Sequence, residues 1–281
     1  MPRPSKRLEY MNHFIETGDV RLHYAELPGD GPPLVLVHGI GMDWRVWQAM
    51  SRRLAPYFHL YMLDLRGHGE SGKPEHGYTL PHYASDIEEM IDRLGLSDVN
   101  LVGSSLGGMV VASVEAPHDI VRGRVLVDPP ITGGPTRDPV MLRTILDLKH
   151  EPPGRLADYL QSQNPGSGRL YAEAMSDMWH EAADGVIVDV LDGGDRYWDI
   201  EPALRWNTAP TLILQADRAR GGVLTDIQAQ RAINILPDGK LIHVAGAGHA
   251  IHADKPVEFA QILLDFAGIA HPSTVPPERG A

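Results

Sequence analysis

Short, continuous apolar runs recur along the chain, separated by stretches whose apolar positions have helical spacing. The segment Phe14–Tyr24 alternates around Gly18-Asp19 and predicts a β-hairpin. Six further runs predict strands: Pro33–Val37, His59–Leu63, Val99–Val102, Arg124–Val127, Thr211–Gln215 and Lys240–Val244. Continuous apolar runs are typical of strands buried on both faces, and the helices between them indicate a mostly parallel sheet. The sequence therefore predicts an α/β fold with an eight-stranded sheet.

The alternation of short apolar strands with helical patterns is absent between Ile131 and Asn207. The stretch instead carries helical patterns at Pro139–Lys149, Arg155–Gln163 and Leu170–Ala182. Because roughly 75 residues without a buried strand is long for a connection, we favour an inserted helical cap over helices packed on the sheet. The predicted division is an α/β core at 1–131 and 207–271, a cap at 132–206 and a disordered tail at 272–281.

Composition narrows the classes of function. The 281 residues include no cysteine, which excludes disulfides, thiolate metal sites and a cysteine nucleophile. The net charge of −12 argues against nucleic acid or an anionic membrane as a partner. No signal-length or membrane-length apolar run is present, so we expect a cytoplasmic protein with a small-molecule substrate. The sequence leaves a homodimer open.

The segment Gly103–Gly108 is the most informative motif, because it follows an apolar strand and precedes a helical pattern. Ser105 has a glycine two positions before it and another two positions after it. This spacing is that of a nucleophile elbow, in which a sharp turn holds a serine above the end of the sheet. Glycine removes the collisions that side chains would make in such a turn. Ser105 is therefore the predicted nucleophile.

A serine hydroxyl needs a base within hydrogen-bond reach and an acid that orients the base. His249 lies in a glycine-rich loop after the last predicted strand and is the candidate base. His252 follows three residues later. A His-x-x-His pair could ligate a metal, but no third ligand is evident, so His252 is given a structural role beside His249. We expect neither a metal nor a cofactor.

An oxyanion hole requires two backbone N–H donors near the nucleophile. One is the N–H of Leu106, directly after Ser105, and the other is assigned to Ile40 after the first buried strand. Gly39 precedes Ile40 and is the predicted substrate-facing residue of that loop.

Two aspartates are candidates for the third member of the triad. Asp128 follows the strand after the elbow helix, and Asp217 follows the next strand along the chain. Both lie between Ser105 and His249 in the sequence, so chain order does not decide between them. Either could instead cap a loop, the commoner role of an aspartate at a strand end.

These motifs together resemble the α/β-hydrolase superfamily. They occur in the order His38-Gly39, Asp64–Gly72 (DLRGHGESG), Gly103–Gly108 and Gly248-His249. The resemblance covers nearly the whole chain and implies an α/β-hydrolase fold with a helical cap, as in esterases and lactonases. In the superfamily the 64–72 segment builds a turn after a strand and takes no part in the chemistry. The serine nucleophile excludes dehalogenases and epoxide hydrolases, which use a carboxylate.

The resemblance also bears on the acid. Family members usually carry Gly-x-x-Asp after the penultimate strand, and that pattern falls here on Ala216 and Ala219. The usual acid is thus absent, and Asp217 lies two positions early. Haloalkane dehalogenases and zearalenone lactone hydrolases take their acid from the position that Asp128 occupies, so the resemblance favours Asp128.

The resulting hypothesis is a serine hydrolase that cleaves a carboxylic ester or lactone of a small to medium apolar substrate. Trp179 and Trp198, both in the predicted cap, are assigned to the wall of the substrate pocket. One alternative is a carbon–carbon bond hydrolase of ring-cleavage dienoates, with a substrate carboxylate bound by Arg169, Arg196 or Arg205. Another is a ligand receptor built on the hydrolase fold, with slow or absent turnover.

Overall fold

The computed structural model describes residues 8–117, 119–132, 139–164, 166, 168–192 and 198–271. Within them the strands are β1 Met11–Thr17, β2 Val20–Leu27, β3 Pro33–Val37, β4 His59–Leu63, β5 Val99–Ser104, β6 Val121–Val127, β7 Thr211–Ala216 and β8 Gly239–Val244. These described strands form one eight-stranded sheet in the order β1-β2-β4-β3-β5-β6-β7-β8. The pairs β1–β2 and β2–β4 are antiparallel, and the other neighbours are parallel. The predicted hairpin and mostly parallel sheet are therefore confirmed.

The helices lie between these strands. They are α1 Gln48–Leu54, α2 Leu80–Arg93, α3 Leu106–Ser113, α4 Pro139–Leu148, α5 Pro153–Gln163, α6 Arg169–Glu181, α7 Asp184–Asp192, α8 Glu201–Trp206, α9 Asp226–Ile235, α10 Ile251–Asp254 and α11 Pro256–Phe266. Single 3-10 turns occur at Trp44–Trp47 and Arg218–Arg220. Among the described residues, no helix has the length and apolar content that a membrane crossing requires.

The sheet separates two apolar clusters, because successive side chains of a strand point to opposite faces. In β3, Val35 and Val37 belong to the cluster that includes residues of α2, α3 and α9. Leu34 and Leu36 belong to the cluster that includes residues of α1 and α11. Side chains of α4, α6 and α7 join the first cluster, so the apolar face of the inserted helices continues the core of the sheet.

The inserted region contains helices that the sequence did not predict. The region of α7 reads DGVIVDVLD, and its glycine and β-branched residues disfavour an isolated helix. Burial of Val186 and Ile187 overrides that propensity. In the core, the segment from Trp44 to Leu54 forms a 3-10 turn followed directly by α1. The predicted tail at 272–281 and Arg196 lie outside the described residues.

Candidate active site

Ser105 lies at the junction of β5 and α3, in a backbone conformation that few L-residues adopt. Its φ is 56° and its ψ is −118°. A side chain at Gly103 would overlap the carbonyl of Gly107, and one at Gly107 would overlap the carbonyl of Val37. The two glycines thus permit a turn tight enough to strain Ser105, as a nucleophile elbow requires.

The elbow is held beside the end of β6. The backbone N–H of Ser105 donates a 3.0 Å hydrogen bond to the carbonyl of Val127, the last residue of that strand. Asp128 is the next residue along the chain and is fully buried. The buried carboxylate of Asp128 therefore comes directly after Val127, the residue of β6 that contacts the elbow.

Asp128 contacts the candidate base. Its Oδ2 lies 2.7 Å from Nδ1 of His249. Its two carboxylate oxygens also accept the backbone N–H groups of Ala216, Val223 and Leu224, at 3.1, 2.7 and 3.2 Å. Burial alone raises the pKa of this carboxyl, but the hydrogen bonds from His249 and the N–H groups outweigh burial and leave the pKa below its ordinary value. Asp128 is thus held as a carboxylate.

Asp217 is oriented differently. Its side chain accepts the backbone N–H of Ala219 at 3.0 Å and caps the 3-10 turn Arg218–Arg220. This is the loop-capping role that a strand-end aspartate commonly has. Of the two candidate acids, the structure places Asp128 against His249.

The N–H groups of the two predicted oxyanion donors, Leu106 and Ile40, have no protein acceptor among the described residues. Leu106 is the first residue of α3, so its N–H has no partner within the helix. In the described part of the chain, neither this N–H nor that of Ile40 donates a hydrogen bond to a protein acceptor. A Cβ built on Gly39 would lie 3.3 Å from Cβ and 3.9 Å from Oγ of Ser105. The loop of Gly39 and Ile40 therefore faces the nucleophile.

Helix α6 of the inserted region rests on this loop. A side chain at Gly41 would overlap the indole ring of Trp179, which is itself buried. At the end of the same helix, Glu181 forms a 2.6 Å ion pair with Arg45. Just beyond, the N–H of Ala183 donates to the carbonyl of Gly67 at 2.7 Å. Trp179 is thus packed directly against the predicted oxyanion loop.

The other predicted binding residues lie elsewhere. Trp198 is buried in the core cluster, close to the N–H of Ile200 that donates to the carbonyl of Ile131 at 3.0 Å. Arg169 and Arg205 are both exposed, and Arg169 is paired with acidic side chains of the inserted helices. Neither described arginine is therefore a buried cation at the elbow.

Two residues beside His249 complete its environment. His252 is buried against Trp47, with ring centroids 4.5 Å apart, and burial together with the nearby His249 lowers its pKa to about 4. Asp254, which sequence reasoning missed, accepts the N–H of Gly248 at 2.6 Å and so fixes the residue before His249. No group of three or more potential ligands that could hold a metal ion occurs among the described residues.

Buried histidines make stability depend on pH. Burial lowers the pKa of His38, of His68 to about 3 and of His252 to about 4, so the unfolded chain binds protons more readily. Their contribution is complete above pH 6.5 and is lost as the pH falls toward the folded-state pKa values, about 4 for His252 and about 3 for His68. We expect the free energy of unfolding to decrease with slopes up to about 1.4 kcal/mol per pH unit for each such histidine. Asp86 and Glu88, whose pKa values are raised by burial, oppose this trend.

Urea unfolding at pH 7.5, 6.5, 5.5 and 4.5 measures this dependence. His252→Leu should reduce the slope of the free energy of unfolding against pH by up to about 1.4 kcal/mol per pH unit, because it removes one titrating group. A free energy of unfolding that is constant over this range would contradict the prediction.

Residues 34–262 match the model of the alpha/beta hydrolase family. The chain belongs to that family, and the predicted fold is confirmed. The matched region covers most of the chain and includes the elbow, Asp128 and His249.

Two curated proteins that match this chain over nearly its full length carry the names of hydrolytic enzymes. N-formylmaleamate deformylase of Pseudomonas putida is 29% identical over 272 residues, covering 93% of this chain and 99% of that protein. The 2-(acetamidomethylene)succinate hydrolase of Mesorhizobium japonicum is 26% identical, covering 92% and 95%. The crystal structure of N-formylmaleamic acid deformylase from P. putida S16 superposes with a TM-score of 0.78 at 24% identity, over 90% of this chain and 100% of that one. The protein is a hydrolase.

Proposed function

We propose that this hydrolase cleaves a carboxylic ester or lactone of a small to medium apolar substrate through a covalent acyl-enzyme. The observation that carries the proposal is the 2.7 Å contact between His249 Nδ1 and Asp128 Oδ2, beside a strained serine at a nucleophile elbow. A base oriented by a buried carboxylate is the arrangement that activates a serine hydroxyl.

In the first half of the reaction, Ser105 Oγ attacks the substrate carbonyl and His249 accepts the hydroxyl proton at Nε2. Asp128 holds the proton of the imidazole at Nδ1 and stabilises the imidazolium that forms. The developing oxyanion accepts hydrogen bonds from the N–H groups of Ile40 and Leu106. Both N–H groups belong to backbone fixed before the reaction, so they need no reorganisation when charge develops.

In the second half, the tetrahedral intermediate collapses. The bond to the alcohol oxygen breaks, His249 protonates that oxygen, and the acyl group remains on Ser105. Water then attacks the acyl-enzyme while His249 accepts its proton. Breakdown of this second intermediate releases the carboxylic acid and returns the proton to Ser105. In a lactone, the alcohol and the acid belong to one product.

The names of the full-length relatives support a second candidate. N-formylmaleamate and 2-(acetamidomethylene)succinate are unsaturated acids that carry an amide, and ring-cleavage dienoates are also unsaturated acids. The same serine and histidine could cleave an amide or a carbon–carbon bond in such a substrate. The exposed positions of Arg169 and Arg205 mean that its carboxylate would need other donors.

A substrate panel tests the proposal. Purified protein is assayed with short acyl esters, monocyclic and macrocyclic lactones, an anilide, an unsaturated N-acyl acid and a ring-cleavage dienoate. We expect turnover of an ester or lactone in the ordinary enzymatic range of about 1 to 10³ per second. Turnover of only the N-acyl acid or the dienoate would replace the proposal with the second candidate. No turnover, together with strong thermal stabilisation by a panel compound, would favour a receptor.

A further inference from the structure

Two buried histidines join the predicted oxyanion loop to the segment Asp64–Gly72, which sequence reasoning set aside as a structural turn. His38 begins the loop, and His68 belongs to the segment. Both side chains are fully buried, and their rings meet edge to face with centroids 4.9 Å apart. Neither residue reaches the reacting atoms in the mechanism above, so their arrangement requires another explanation.

The hydrogen bonds of His38 define its tautomer. Its Nε2 accepts the N–H of Leu65 at 3.0 Å, so in the neutral ring the proton lies on Nδ1. Nδ1–H therefore donates to the carbonyl of Gly39, at 2.7 Å. Burial lowers the pKa of the ring and keeps it neutral.

His68 has the same tautomer. Its Nε2 accepts the N–H of Gly41 at 3.1 Å, and its Nδ1–H donates to the carbonyl of Arg66 at 3.0 Å. Burial, with the neighbouring His38, lowers its pKa to about 3. The two neutral rings thus contact the loop at two points, one on either side of Ile40.

These two points control the peptide groups that flank Ile40. The carbonyl of Gly39 and the N–H of Ile40 belong to one planar trans peptide, in which they point in opposite directions. The bond from His38, together with a 3.2 Å bond from the N–H of Met42, fixes this carbonyl and therefore also the direction of the Ile40 N–H. Donation to the carbonyl also polarises the peptide and strengthens its N–H as a donor.

We propose that His38 and His68 are positioning residues for the oxyanion hole, His38 holding the Gly39–Ile40 peptide and His68 the Ile40–Gly41 peptide. The inference rests on the proposed function, in which the Ile40 N–H stabilises the oxyanion. It gives the Asp64–Gly72 segment a part in catalysis through its contact with the loop.

Asparagine and glutamine variants separate the two bonds of each ring. An asparagine amide approximates the position of histidine Nδ1, and a glutamine amide that of Nε2. His38→Asn keeps a donor for the Gly39 carbonyl, whereas His38→Gln keeps only an acceptor for the Leu65 N–H. Conversely, His68→Gln keeps the acceptor for Gly41, and His68→Asn keeps only a donor for Arg66.

The first readout is the rate at which an alkyl fluorophosphonate labels Ser105, followed by mass spectrometry. In this reaction Ser105 Oγ bonds to phosphorus, fluoride leaves, and His249 takes the hydroxyl proton. The phosphoryl oxygen occupies the oxyanion hole, so labelling needs no knowledge of the natural substrate. The second readout is kcat and KM for the best ester or lactone of the panel, and the third is Tm.

We expect the labelling rate and kcat of His38→Asn to be about ten-fold or more above those of His38→Gln. The same two quantities should be about ten-fold or more higher in His68→Gln than in His68→Asn. KM should agree within about two-fold inside each pair, because the bond acts on the transition state. His59 is the first residue of β4 and lies at the end of the sheet opposite the elbow, so it supplies a control pair. Its asparagine and glutamine variants should have equal labelling rates and equal kcat.

Equal rates within both pairs, or rates that follow Tm instead of the retained bond, would overturn the proposal. If the wild-type protein is labelled at Ser105 but hydrolyses nothing in the panel, the proposed function fails while the labelling rates still test the two histidines. If the wild-type protein is not labelled, both proposals fail.

Discussion

Replacement of Ser105 by alanine should lower kcat for the best ester or lactone by about 10⁵- to 10⁶-fold. No other group can then form the acyl-enzyme, and only substrate binding and the oxyanion donors remain. The folded structure should persist, because alanine keeps the Cβ atom of serine, loses only the hydroxyl and adopts the same backbone conformation at the same strain. The measurement is kcat by a continuous assay, with Tm by differential scanning fluorimetry on the same preparation.

Ser104 offers a matched control, since it is also a buried serine and immediately precedes the nucleophile. Ser104 is the last residue of β5, and successive side chains of a strand point to opposite faces. Its side chain is therefore expected to point away from that of Ser105. Ser104→Ala should therefore retain most of the wild-type kcat. Activity that survives in Ser105→Ala, or that is lost equally in both variants, would exclude Ser105 as the nucleophile.

The second large effect is expected at the triad acid. Asp128→Asn should lower kcat by about 10³- to 10⁴-fold, because an amide no longer holds the proton at His249 Nδ1 or stabilises the imidazolium. Asp217→Asn should change kcat by less than about three-fold, because asparagine also caps the turn at Ala219. Steady-state kinetics of the two variants on one substrate make the comparison.

The asparagine at position 128 also disturbs the fold, because the carboxylate accepts N–H groups of Ala216, Val223 and Leu224. Tm must therefore be measured beside kcat, and assays run well below the lower Tm. A kcat loss in Asp217→Asn as large as that in Asp128→Asn would show that the acid is assigned wrongly.

The sheet could be predicted closely because its strands are marked by local patterns. Pro33–Val37 and His59–Leu63 are continuous apolar runs, and the structure has strands with those same bounds. The elbow could be found for a similar reason, since its two glycines are required by contacts within a few residues of Ser105 and with the neighbouring β3. Such features are encoded locally and can be inferred from one sequence.

The acid and the two oxyanion-loop histidines depend on contacts between distant segments. Asp128 and Asp217 both follow strands of the sheet, and only the path of the chain shows which carboxylate meets His249. Asp128 has a φ of 46°, a feature that its aspartate–proline sequence does not reveal. His68 contacts Gly41 across 27 positions of sequence. No local pattern distinguishes these residues from structural ones.

The packing of α6 on the catalytic loops limits how this protein can be recombined with its relatives. Trp179 covers Gly41, Glu181 pairs with Arg45, and Ala183 bonds to Gly67. A chimera that exchanged only the inserted helices would replace one residue of each of these contacting pairs and leave the other unchanged. The transferable unit is the helices together with the loops at Gly39–Arg45 and Asp64–His68. Breakpoints for recombination therefore belong before β3 and after the Asp64–Gly72 segment, not only at the ends of the insertion.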